Sequence, residues 1–463
     1  MRAALLRRAE RPLDALGLTA FRVLFGLLTL TSSLRFLAEG WVEQAFVIPT
    51  FFFSFMGLEW IQVLPSWAMY GAFIAMALAS LCVALGLFYR GAIVAFFLLF
   101  TYVELIDVTN YLNHYYLVSL LALLLCLMPL GDAFSLDAWR RGRLSRRTFP
   151  AWMTWLLRFQ VAVVYTYAAV AKTGSDWLVH GQPMGIWLAA RTDIALIGPY
   201  LDLPGVALAM SWGGFLYDAC VIPLMLWRRT RPFAYLAALI FHGLVGVFFN
   251  IGMFPWIMVV SLTVFFEPSW PRRFLNRSSW SPAPRPMASR GWSHAQRLAV
   301  VGMTVYVTLQ AAVPARAFLY GGDVLWHEQG MRFAWKVMVR EKNGSVTYRV
   351  RSDRWERERH VYPSRYLTSH QEREMSGQPD QILQLAHHIA DEMRADGHRE
   401  VEVRVDAMAS LNGRRMQALI DPNVDLAQIH DGLSRAEWIT PAPNDPPILL
   451  RPLRNPSTST ASP

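Results

Sequence analysis

The chain has 463 residues, 54% of them hydrophobic, with 18 Trp, 27 Phe and a formal net charge of +10. Several apolar stretches approach the roughly 20 residues that cross a bilayer, which excludes a soluble globule and makes the lipid bilayer the first partner. The positive charge gathers in short segments between those stretches, as in cytoplasmic loops of membrane proteins, so nucleic acid is not implied.

In chain order, apolar runs predict helical spans over 17–37, 66–88, 91–110, 114–131, 152–172, 205–227, 231–249, 252–267 and 297–315, nine in all. Arg2, Arg7, Arg8 and Arg11 precede the first run, which continues past Arg22 to Arg35 without a small-residue cleavage site. It therefore reads as an uncleaved span rather than a signal peptide. With nine spans and a cytoplasmic N-terminus, the basic clusters at Trp139–Arg147, Trp227–Arg231 and Trp270–Arg277 all fall inside. In a bacterium this is a multi-pass protein of the inner membrane, with everything after about residue 315 in the periplasm. Cys82, Cys126 and Cys220 all lie within apolar runs and read as buried free thiols, without metal-ligand spacing.

The predicted fold is a membrane all-α bundle, residues 1–315, followed by a small extracytoplasmic α+β domain, 316–445, and a disordered tail, 446–463. Residues 277–295 read as a linker. In the second domain, Met331–Glu341 and Ser345–Ser352 alternate as strands, and the Asn343-Gly344 step between them predicts a hairpin turn. Asp380–Met393 has a helical stripe of Ile382, Leu385, Ile389 and Met393, and Glu400–Met408 alternates as another strand.

Ionisable residues within the spans need a partner or a task, since each costs at least about 2.5–3.5 kcal/mol on insertion scales. They include Arg22, Arg35, Glu104, Asp107, Arg158, Lys172, Asp218 and His242. Ion pairs of Arg22 or Arg35 with Asp218 or Glu104 would satisfy several of them. His242 alone reads equally as a satisfied core histidine. Lys172, closing the apolar run Trp155–Ala171, is either an anchor that keeps its charge in water or an amine held in an apolar pocket as a base. The topology brings three outer segments, Asp107–Tyr116, the end of span five at Lys172, and Asn250–Trp256, to one face. His387 and His388 stand about 100° apart on a helix, a poor metal site on what reads as a solvated face.

Several motifs carry a resemblance. They are "YLNHYYLVSLLALLL" (Tyr111–Leu125), "VVYTYAAVAKTGSDW" (Val163–Trp177), "GGFLYD" (Gly213–Asp218), "FHGLVGVFFNIGMFPWIM" (Phe241–Met258), "RFAWKVMV" (Arg332–Val339) and "SLNGRRMQALIDPNVD" (Ser410–Asp425). In this order they resemble the vitamin K-dependent γ-glutamyl carboxylase family, with its bacterial relatives that carry the horizontally transferred transmembrane (HTTM) domain, over residues 15–440. The resemblance implies an enzyme that uses a vitamin K or menaquinone-type hydroquinone, oxygen and carbon dioxide to carboxylate glutamate in a peptide or another acidic acceptor. A lysine deprotonates the hydroquinone, whose reaction with oxygen gives a strongly basic alkoxide and finally the epoxide. By motif the catalytic lysine is Lys172, with His114 beside it. Asn113 and His242 line the quinone pocket, and Arg414 or Arg191 binds the substrate carboxylate. No metal is implied. The chain ends soon after Asp425, whereas the animal enzyme continues through a region that recognises propeptides, and Met408 stands where an aromatic is expected. A quinone epoxidase without carboxylation and a non-catalytic membrane partner are the other readings.

Overall fold

The computed structural model describes residues 8–142, 147–249, 251–275 and 294–448. The expected linker up to residue 293 and the expected tail from residue 449 lie outside the described residues. The chain divides into two compact units. The first takes in residues up to Thr166, Cys220–Arg316 and Tyr366–Thr368; the second takes in Tyr167–Ala219, Ala317–Arg365 and the chain from Ser369.

Among the described residues, seven helices are long and apolar enough to cross a membrane. In chain order with their neighbours, the helices are α1 (Ala15–Ala38), α2 (Ser66–Leu85), α3 (Tyr89–Ile106), α4 (Asn113–Cys126), α5 (Ala151–Ala171), α6 (Pro204–Leu226), α7 (Arg231–Phe248), α8 (Phe254–Leu262) and α9 (His294–Ala315). The nine expected spans thus each meet an apolar helix, but α4 and α8 are short. At 1.5 Å per residue, the 14 residues of α4 extend about 21 Å, less than the roughly 30 Å of a hydrocarbon core. By length seven qualify as spans, and the count of nine is not confirmed.

In the first unit, Asp14 starts α1 by accepting a hydrogen bond from Leu16 N at 3.0 Å. Gly26 is needed for the approach of α1 to α2, since a Cβ there would lie 2.5 Å from Ala84 N. Small residues let membrane helices approach this closely when no hydrophobic drive separates lipid from protein. The expected pairing of Arg22 with a membrane carboxylate is corrected. Its guanidinium is buried and donates to the carbonyls of Leu130 (2.8 Å), Ala133 (3.2 Å) and Phe134 (3.0 Å). Carbonyls of the turn and loop that follow α4 supply the partial negative charge that the cation needs. Helix α9 is tied to its unit by polar contacts: Tyr306 donates to Gln160 Oε1 (2.6 Å) and Gln310 Nε2 to Tyr116 (3.3 Å). The thiols are free, but Cys82 and Cys126 are only half-buried and Cys220 is exposed on its helix surface.

The second unit carries an antiparallel four-stranded sheet, β1 (Lys342–Arg351), β2 (Arg359–Val361), β3 (Glu402–Leu411) and β4 (Gln417–Ala418), in the order β2-β1-β3-β4. The inward face alternates along β1 as Val346, Tyr348 and Val350, and along β3 as Val403, Val405, Ala407 and Ala409. Helix α10 (Pro379–Ala395) buries Ile382, Leu385, Ile389 and Met393, the predicted stripe. The predicted hairpin at Asn343-Gly344 does not form. Strand β1 runs straight through both residues, paired with Ser410 and Ala409. Gly344 serves close approach instead of a turn: a Cβ there would meet Ser376 O at 2.3 Å. The preceding segment is irregular rather than a strand, with Phe333, Trp335 and Met338 all at left-handed φ (62°, 55° and 53°). His387 does not face solvent: it is half-buried, with Nε2 2.9 Å from Ile429 O.

Candidate active site

The first unit holds a cluster of buried rings. Asn113 opens α4, and His114 follows in its first turn, where backbone N–H groups have no helical acceptor. Tyr111 donates to Asn113 Oδ1 at 3.1 Å, which fixes the amide. His114 is 6% exposed, and its Nε2 is buried without a hydrogen-bond partner. His242, on α7, is 1% exposed. Both imidazoles pack against Phe254 at the start of α8, with ring centroids 5.8 and 5.6 Å away. The Tyr165 hydroxyl and His242 Nε2 share a hydrogen bond of 2.9 Å. The fold therefore gathers Asn113, His114, His242 and Phe254 from three separate sequence segments. Tyr165 joins them, a residue that sequence reasoning did not single out.

The second unit holds a cluster of charges. Lys172 lies just beyond the end of α5, and its side chain is 6% exposed. Its Nζ lies 2.9 Å from Asp218 Oδ2, donates to Val337 O at 3.1 Å and sits 5.3 Å from the centre of the Trp177 ring. Trp177 is held by its own indole N–H to Ser211 O (2.6 Å), with its ring 3.4 Å from where a Cβ on Gly214 would stand. The expected partners of Asp218 were arginines; its partner is the lysine instead. Val337 belongs to the segment with three left-handed residues, a conformation that costs of order 1–3 kcal/mol per residue and persists where surroundings enforce it.

Four residues after Lys172, Asp176 accepts from both Nη atoms of Arg414 at 2.6 Å and from Asn412 Nδ2 at 2.9 Å. Burial pushes the Asp176 carboxyl up, but these donors outweigh it and hold it below the ordinary value of 3.8. Asn412 supplies the turn, with φ at 51°, a conformation asparagine tolerates. Arg414 is thus already engaged. Arg191 lies in a loop, one-third exposed, 3.8 Å from Asp193.

A third group in this unit was not foreseen. Lys342 is fully buried and donates to Trp326 O, with Glu328 3.5 Å away and paired in turn to Arg340. Burial lowers the Lys342 amine to about 8, against the pull of Glu328. The sequence carried one signal for these amines. Lys172, Lys336 and Lys342 are the only lysines among 44 basic residues. Arginine, which does not deprotonate, serves everywhere else.

Two family models match the chain: the HTTM domain over residues 10–270, and the lumenal domain of vitamin K-dependent gamma-carboxylase over 295–445. The chain belongs to the γ-glutamyl carboxylase family. No solved structure matches it. It is a carboxylase-like multi-pass membrane protein with a small sheet-containing C-terminal region.

Proposed function

We propose that this membrane protein is an enzyme that takes a reduced quinone of the vitamin K or menaquinone type, oxygen and carbon dioxide, and carboxylates glutamate of a peptide or another acidic acceptor. The burial of the Lys172 amine carries this reading. A lysine that only marks a membrane boundary extends its ammonium to water; this one is 6% exposed, with its nitrogen turned onto a carboxyl and a carbonyl.

The residues suit such a ligand. An aromatic hydroquinone needs flat apolar surfaces and a polar partner for its oxygen. Phe254 and Tyr165 offer the first, and the unpartnered Nε2 of His114 offers the second. Asn113 and His242 complete the lining. When bound, the reduced quinone supplies, through oxygen, the strong base that takes the γ-proton from glutamate. Lys172 Nζ takes the proton from its hydroxyl, with Asp218 and Val337 O fixing the amine. Exclusion of water protects strongly basic chemistry from quenching. Arg191 and Arg414 are the guanidiniums assigned to the acidic substrate, and a carboxylate reaches Arg414 only by displacing Asp176. Residues 1–315 are assigned to the membrane part, in a bacterial cell membrane with a cytoplasmic N-terminus. Residues 316–445 are assigned to the outer domain.

The test is purified protein in nanodiscs with reduced vitamin K or menaquinol, labelled bicarbonate and a glutamate-rich peptide. Epoxide together with label in the peptide is expected. Epoxide without label leaves an epoxidase. Neither product, with Lys172→Ala indistinguishable from the parent, overturns the enzymatic reading.

A further inference from the structure

Asp176 and Asp218 lie in the same unit, and their surroundings differ. Asp176 collects a bidentate guanidinium and an amide, the donors that keep a carboxylate ionised. Asp218 lies within α6, 7% exposed, and among the described residues no cation other than Lys172 stands within ion-pair reach. Two full charges there would each forfeit their hydration, a penalty of several kcal/mol per ion. The counter-ion contact repays this only with further hydrogen bonds. Lys172 has one other acceptor in reach, Val337 O at 3.1 Å.

The count of donors around Nζ bears on the same question. An ammonium has three N–H bonds; a neutral amine has two and a lone pair. Asp218 Oδ2 and Val337 O are the two acceptors in hydrogen-bond reach, and the Trp177 ring centre lies farther off, at 5.3 Å. In the amine form the third direction is the lone pair, free to receive a proton.

We propose that Lys172 and Asp218 rest as a neutral amine and a protonated carboxylic acid, the proton held by Asp218, and that Asp218 positions the lysine as a base. This rests on the reading of Lys172 as the group that deprotonates a reduced quinone. The acid proton sits on Oδ1, so Oδ2 accepts one N–H while Val337 O accepts the other. In the step, an O–H bond of the quinone hydroxyl breaks, its electron pair stays on oxygen, and a third Nζ–H bond forms. The pair then carries one positive charge opposite the new negative charge, so the step creates no net charge in the apolar site. An ion pair at rest has no lone pair to offer and would have to expel a proton first.

The resting proton can be located without any quinone. In nanodisc protein labelled with ¹³C in the aspartate carboxyls, infrared spectra should show the carbonyl stretch of a protonated acid, shifted in D₂O and absent in Asp218→Asn. With three lysines in the chain, the ¹⁵Nζ resonance of Lys172 is assignable by Lys172→Arg and should fall at the neutral-amine position. An ammonium resonance for Lys172 overturns the proposal whether or not Asp218→Asn folds. So does loss of only carboxylate stretches in that variant. In turnover, Asp218→Leu should lower kcat about 100-fold, the effect of a base misplaced by about 1 Å, with KM for the reduced quinone near parental. Asp218→Glu should recover part of the loss. If the folded fraction of Asp218→Leu turns over at the parental rate, the positioning role fails. A protonated Asp218 beside a neutral Lys172, in a parent protein that forms no epoxide, leaves the pair standing and removes the enzymatic reading.

Discussion

The ring cluster of the first unit and the charge cluster of the second solve opposite problems. Around His114 and His242 the neighbours are aromatic, and His114 Nε2 is left without a partner. Around Lys172 and Asp176 nearly every polar atom is claimed by a named neighbour. The first arrangement suits a neutral, flat ligand that arrives from lipid. The second suits groups whose charge must be controlled before and after a proton moves.

Substitutions can break this contrast. Lys172→Ala should lose about 10²–10⁴-fold in kcat, the range of a general base, in the hydroquinone-dependent epoxide assay. Lys172→Arg should lose as much, because its charge is permanent; an active arginine variant would make the lysine a mere cation. His114→Phe should raise KM for the reduced quinone about 5–100-fold, equivalent to the 1–3 kcal/mol of one buried hydrogen bond. Its thermal stability should hardly change, since in the resting protein Nε2 gives up no partner. Arg414→Ala should do the reverse. It should cost about 2 kcal/mol of stability by leaving Asp176 without its guanidinium, read as a melting shift of several degrees.

The smallest expected effect is on pH dependence. At Asp176 and Asp380, burial opposes ionisation, but Arg414 and Arg332 outweigh it and hold both carboxyls below 3.8. A carboxyl depressed on folding contributes stability that is complete above its unfolded value and lost as pH falls through its folded one. Melting temperature should therefore drop as pH falls below about 4, and Asp176→Asn should flatten part of that slope.

Much of this was legible in the sequence, and the exceptions have physical causes. Apolar runs located the long apolar helices among the described residues because hydropathy is a local signal. They could not give the shortness of α4 and α8, where polar segments at the helix ends are buried by protein. The stripe on α10 and the alternation along β3 read correctly for the same reason. Asn343-Gly344 misled because glycine has two uses, and only the backbone of Ser376 decides between them. Lys172, His114 and His242 were visible through family motifs. The partnership of Lys172 with Asp218 lies 46 residues apart in sequence and depends on which face of α6 turns toward it. Tyr165 was hidden among other aromatics of α5, although it precedes Lys172 by seven residues, two helical turns.

The brevity of α4 has a consequence for the membrane itself. A segment of about 21 Å that carries His114 in its first turn leaves a hydrophobic mismatch against an ordinary bilayer. Its residues are all buried or half-buried by protein, so the protein around it must carry the difference to the bilayer, or the helix ends must be wetted. Nanodiscs built from lipids of increasing acyl chain length should therefore tune quinone turnover, with thicker bilayers slowing it, while the outer sheet melts unchanged.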